Sequence, residues 1–91
     1  MNLEQIKEYI LDHGAEDGTP VFENFCSAFI GVTESGRAVY DFNKMVKELM
    51  DQDGASEMDA MDDIYYNTIP SLPYAGPLAP IILYPVEEED L

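Results

Sequence analysis

A chain of 91 residues is expected to form one domain with a modest core. Its 46% hydrophobic content is too high for a chain disordered throughout. Nineteen acidic residues face four basic ones, a formal net charge of -15, which disfavours binding to nucleic acid or anionic membrane and favours basic proteins or divalent cations.

The same acidity also serves solubility alone, and both readings stand at this point. The single cysteine, Cys26, leaves no partner for an intrachain disulfide. It is expected to act as a small buried hydrophobe beside a strand. No charged-then-apolar leader and no apolar run of membrane-spanning length is seen, so a cytoplasmic protein is expected.

The first helix begins after Asn2, which can cap it, with Gln5 three residues on as in a capping box. Leu3, Ile6 and Ile10 form its apolar stripe, with Leu11 alongside. His13 and Gly14 fit its end, which explains the only histidine without catalysis. Ala15 to Pro20 reads as a polar loop. Val21 to Asn24 is read as extended, pairing at a sheet edge. Phe22, Phe25 and Phe29 supply aromatic bulk, and one or two of them are expected in the core.

Ser27 to Met50 is the organising stretch. Ala28, Ile30 and Val32 alternate with Ser27, Phe29, Gly31 and Thr33, the two-residue period of a strand. Glu34-Ser35-Gly36 supplies a turn with glycine where a positive φ is needed. Arg37 to Tyr40 is the return strand. Asp41 caps a helix whose Phe42, Met45, Val46 and Leu49 share one face. Gly54 ends that helix and Ser56 caps the next, with Asp59 completing an approximate capping box.

This last helix is expected to reach about Asn67, with Met58, Met61, Ile64 and Tyr65 facing inward. Asp59, Asp62, Asp63 and Tyr66 fall on another face. Pro70 ends it. Ser71 to Pro80 is read as an ordered loop with Leu72 and Tyr74 packed down. Ile81 to Tyr84 is apolar on both faces and is read as a short buried strand, limited by Pro85. The expected fold is α+β: a small three-stranded antiparallel or mixed sheet with three helices packed on it. Residues 1–86 form the domain and 87–91 a self-repelling, flexible acidic tail.

Several kinds of chemistry can be weighed against these residues. Asp51-x-Asp53-Gly54 resembles part of a calcium loop. Setting Gly54 at the glycine position, however, puts Leu49 and Ala60 where oxygen ligands are required. Asp59, Asp62 and Asp63 lack the phosphate loop or basic clamp that would give a bound magnesium ion a role. No nucleophile-elbow, zinc-helix or phosphate-loop pattern occurs. Four cations leave little to stabilise an oxyanion or phosphoryl group. No catalytic residue, cofactor or metal site is therefore assigned.

An acidic surface that imitates nucleic acid fits better. Asp59 and Asp63 lie about 6 Å apart along a helix axis, comparable with neighbouring phosphates on a strand. Glu57 and Asp62 widen the patch, and Glu48, Asp51 and Asp53 extend it. Tyr66, with Tyr65, adds a flat contact. A basic groove that holds DNA or RNA could accept such a face and release the same counterions. The competing reading of each aspartate is an ordinary solvated helix face. Met45, Met50, Met58 and Met61 offer an adaptable interface, although at helical spacing such a stripe more often lies in the core.

Ala28-Phe29-Ile30-Gly31-Val32, Gly36-Arg37-Ala38-Val39-Tyr40-Asp41, Tyr66-Asn67-Thr68-Ile69-Pro70 and Leu72-Pro73-Tyr74 together resemble a group of small uncharacterised proteins of gut-type bacteria and their mobile elements. The resemblance spans Ala28 to Tyr84 and implies no activity or functional residue. In size and acidity, though not in motif, the chain is similar to phage-encoded anti-restriction and anti-CRISPR inhibitors.

The expected function is that of a non-enzymatic acidic inhibitor. Its partner would be a basic nucleic-acid-binding protein, such as a CRISPR or restriction effector, held through Asp51, Asp53, Glu57, Asp59, Asp62, Asp63 and Tyr66. The alternative is a small structural or regulatory domain that forms a homodimer through the apolar Tyr74 to Tyr84 surface.

Overall fold

The computed structural model describes residues 1–90. Helix α1 (Leu3–Asp12) starts with the expected reciprocal cap: the Gln5 amide donates to Asn2 Oδ1, and the Asn2 amide donates to Gln5 Oε1, both at 2.9 Å. Two otherwise orphaned donors are satisfied at once. The helix buries Ile6 and Ile10 and ends at His13, whose ring stacks on Tyr9 with centroids 4.1 Å apart.

The segment expected to extend the sheet, Val21 to Asn24, forms no strand. Its attachment runs through a side chain: the Phe22 amide donates to Tyr40 Oη at 3.2 Å, and the Phe22 ring lies 4.7 Å from that of Tyr40. Phe25 then takes a left-handed conformation (φ 65) and opens a short 3-10 turn at Cys26–Ala28. Phe25 is buried while Phe22 and Phe29 pack half-buried against the core. Cys26 is half-buried rather than fully so.

Strands β1 (Phe29–Val32) and β2 (Ala38–Asp41) form the hairpin. Strict alternation put Ile30 on the same face as Val32. The structure instead carries a bulge between Phe29 and Gly31, with Phe29 opposite Tyr40 and Val32 opposite Ala38. One extra residue resets the phase. Phe29 and Val32 both pack on the core, and Ile30 is left 42% exposed.

Strand β3 (Ile81–Leu83) runs parallel to β2, giving a mixed sheet in the order β1-β2-β3. The parallel pairing requires a long crossover, and the helices supply it. Being an edge strand, β3 is not buried on both faces: Ile81 and Ile82 are half-buried, and Leu83 and Tyr84 are exposed. Arg37 Nε fastens the chain entering β3 by donating to the Ala79 carbonyl at 2.9 Å.

Helix α2 (Phe42–Asp53) starts where Asp41 Oδ1 accepts from the Lys44 amide at 3.0 Å. Phe42, Met45, Val46 and Leu49 all face the core. Gly54, at φ 67, closes it in the left-handed conformation that glycine tolerates best.

Helix α3 (Glu57–Asp63) is capped by Ser56 Oγ, which accepts from the Asp59 amide at 3.1 Å. The chain stays helical beyond it, as a π turn at Ile64–Thr68 and 3-10 turns at Ile69–Ala75. Its buried line is Ala60 and Ile64, with Met61 half-buried beside them. Met58 is 73% exposed and Tyr65 is also exposed, against expectation. At about 100° per residue, Met58 lies roughly opposite Ala60.

Pro70 stands near the start of the 3-10 stretch. Three residues per turn put Ile69 and Leu72 on one side, half-buried. Tyr74 falls off that line and is 92% exposed rather than packed down. Beyond the sheet, Glu88–Asp90 forms a 3-10 turn, and Asn43 Nδ2 donates to Glu87 Oε1. Residue 91 of the expected tail lies outside the described residues.

Candidate functional site

The acidic candidates are placed by two caps and one turn. Gly54 ends α2 just after Asp51 and Asp53, and Ser56 starts α3 just before Glu57 and Asp59. The two helices pack against each other, so the α2 terminus and α3 contribute to adjoining surface. Asp62 and Asp63 follow along α3, and Tyr66 continues the path into the π turn. All seven of these side chains are exposed.

Their electrostatic settings differ. Asp51 is paired with Lys47, with Nζ 3.0 Å from Oδ2, so the pair adds no net charge to the surface. Asp53 lies in the last turn of α2, which holds no basic residue. Carboxylates there oppose the negative end of the helix dipole and cost about 0.3–1 kcal/mol each. Glu57 and Asp59 occupy the first turn of α3, where the dipole welcomes them. Local helix physics therefore explains Glu57 and Asp59 but not Asp53. Asp63 Oδ1 accepts a hydrogen bond from Asn67 Nδ2 at 2.6 Å. Asp59 and Asp63, one turn apart at about 6 Å, repel each other by about 0.7 kcal/mol in water before salt screening.

Glu48, read as an extension of the patch, does not belong to it. Its Oε1 accepts from the Ser27 amide at 3.2 Å and from the Ser27 hydroxyl at 2.6 Å, while Oε2 is buried without a partner. It ties α2 to the turn before β1.

The compensation elsewhere is equally thin. Among the described residues, only one other ion pair forms, Lys7 with Glu4 at 3.9 Å. Most of the nineteen carboxylates therefore have no cation within ion-pair distance.

Sequence reasoning did not identify an aromatic cluster built from three distant elements. The Phe42 ring lies 5.5 Å from Tyr65 and 4.8 Å from Tyr84. Tyr65 and Tyr84 are both exposed. Burial, and secondarily the neighbouring Tyr65, push the Tyr84 phenol above its ordinary value. No local pattern announces this cluster, because its members are brought together by the α2 to β3 crossover.

Among the described residues, no three His, Cys, Asp or Glu side chains converge to hold a metal ion, and no helix is long and apolar enough to cross a membrane. What this surface offers chemically is a row of carboxylates beside exposed tyrosines: acceptors and negative charge for a cationic counterpart. No protein-family model, curated protein or solved structure matches the chain.

Proposed function

We propose that this chain is a non-enzymatic binding protein whose acidic face occupies the basic, nucleic-acid-binding surface of a larger protein. The observation that carries the reading is the exposed set Asp59, Asp62, Asp63 and Tyr66 on one side of α3 and the turn after it, with Asp53 at the end of α2, none of which has an ion-pair partner among the described residues. Glu57, about 200° around the helix from Asp59, lies on the other side, toward Lys47 and Met50. Asp53 stands exposed in the last turn of α2, where its charge disfavours its own helix, so a cationic partner would offset that cost. A groove lined with lysine and arginine would relieve the repulsion within this row and release counterions, as it does on nucleic acid. The concrete form is an inhibitor of a bacterial defence nuclease, of the anti-CRISPR or anti-restriction type.

The test is a pull-down from bacterial lysate at low salt, eluted by a salt gradient and read by mass spectrometry. Recovery of a nucleic-acid-binding protein that moderate salt releases and DNA displaces is the expected result. Retention of that partner by an Asp59→Lys/Asp62→Lys/Asp63→Lys variant would remove this face from the account.

A second reading is favoured by one observation. β3 is an edge strand with Leu83 and Tyr84 exposed, and Tyr74 stands nearly free of the fold. A homodimer through this surface would leave the acidity to serve solubility. Salt separates the two, since an apolar interface holds or tightens as salt rises.

A further inference from the structure

A second surface, made of other elements, has its own chemistry. Between α1 and residues 16–23 lies a groove of about 470 Å³, within the range of about 300–1,000 Å³ usual for ligand clefts. Its rim carries Glu4, Glu8, Glu16, Asp17 and Glu23. The one cation on it, Lys7, lies 3.9 Å from Glu4.

Apolar surface from Leu11, Pro20 and Val21 lies among these charges. Leu11 is 44% exposed. It follows Glu4 and Glu8 at helical spacing, on the side of α1 away from Ile6. The groove wall is held in place before any ligand arrives. The Thr19 hydroxyl and amide both donate to the Glu16 carbonyl, at 2.6 and 3.1 Å. Farther along, the Phe22 amide is tied to Tyr40. A pre-formed wall lowers the ordering cost of binding, and a concave acidic rim concentrates field on a cationic ligand.

We propose that this groove docks a lysine- or arginine-rich peptide segment of a partner protein, one that carries an apolar side chain between its charges. Carboxylates on both walls pair with the basic residues, and the apolar side chain rests on Leu11, Pro20 and Val21. A simple polyamine would satisfy the charges but leave the apolar strip unused. Nucleic acid and anionic lipid carry the wrong sign. The inference goes beyond the α3 face and shares no residue with it.

The experiment uses the full chain, labelled with nitrogen-15 and titrated with a short peptide of lysines with leucines at helical spacing. Amide shifts are expected to cluster at residues 4–11 and 16–23. Replacing the peptide's leucines by serine, or Leu11→Ser in the protein, should each weaken binding about tenfold, as expected for burying one such side chain. Glu8→Lys/Glu23→Lys should weaken it by at least as much. The Asp59→Lys/Asp62→Lys/Asp63→Lys variant should bind the peptide nearly as the wild type does. Equal affinity for the serine peptide, equal loss in the α3 variant, or shifts spread over every acidic surface would each overturn the proposal. A failed α3 face with an intact groove, or the reverse, is distinguished by these same variants.

Discussion

Gly36 is where the hairpin turn meets the chain leaving α1, and Gly36→Ala tests how closely they are packed. A Cβ built there falls 2.8 Å from Ala15 Cα, 3.1 Å from Ala15 N and 3.2 Å from Gly14 O. These are backbone atoms, so no rotamer change relieves the contact. The φ of +88° adds a second cost: roughly 1–2 kcal/mol for placing an L-residue in the left-handed region. Overpacking against a fixed backbone adds roughly 1–3 kcal/mol. The variant should therefore lose about 2–5 kcal/mol.

A domain of 91 residues holds only about 5–14 kcal/mol in total, at about 0.05–0.15 kcal/mol per residue. Melting should fall by at least about 8 °C, at about 4 °C or more per kcal/mol. Gly18→Ala is the internal control: its φ is +84°, and nothing lies within 4 Å of its added Cβ. It should show the conformational share alone. The gain from a less flexible unfolded chain is common to both variants and cancels in the comparison. Urea titration followed by far-ultraviolet circular dichroism gives the difference. A Gly36→Ala protein within about 0.5 kcal/mol of Gly18→Ala would refute the close seating of the turn on the Gly14–Ala15 backbone.

Other expectations follow from burial and charge. Ile64→Ala should cost about 2–5 kcal/mol because Ile64 is fully buried. Met58→Ser should change stability by less than about 0.5 kcal/mol; thermal melts that reverse this order would contradict the placement of α3. Burial pushes the Tyr40 phenol from its ordinary 10.0 up to about 12, offset in part by the Phe22 amide that donates to it. Folding therefore favours the neutral phenol. Its contribution is whole below pH 10.0 and is lost as pH rises through about 12, at most about 2–3 kcal/mol in all. Urea midpoints across that window should fall further for the wild type than for Tyr40→Phe, and parallel profiles would disprove the assignment. Asp53→Lys, at the end of α2, should raise stability by about 0.3–1 kcal/mol at low ionic strength, read from the same titrations; a loss would mean that Asp53 serves the fold.

The parts of the fold legible in the sequence were those governed by short-range rules. Asn2 with Gln5, Asp41 ahead of Phe42, Ser56 ahead of Glu57 and Gly54 after Asp53 each act within one turn of chain. The buried face of α2 follows from its period alone. The misplaced residues needed information from a distance. Ile30 turns outward because β1 bulges against β2. Val21 to Asn24 stays out of the sheet and is tied to Tyr40 instead. Met58 and Tyr74 lost their expected burial to the phases of α3 and of the 3-10 turns after it. The exposure of the acidic row could be read from composition, since unpaired carboxylates avoid the interior. That Glu48 turns away to Ser27, twenty-one residues earlier in the chain, could not. Nor could the meeting of Phe42, Tyr65 and Tyr84.

The most direct test of the central claim is the salt dependence of binding to the recovered partner, measured for the wild type and for Asp59→Lys/Asp62→Lys/Asp63→Lys. The account predicts a wild-type affinity that falls steeply and linearly in log–log form as salt rises, and a variant that binds far more weakly with a shallower slope. A wild-type affinity indifferent to salt, or a charge-reversed variant that binds as well as the wild type, would contradict it.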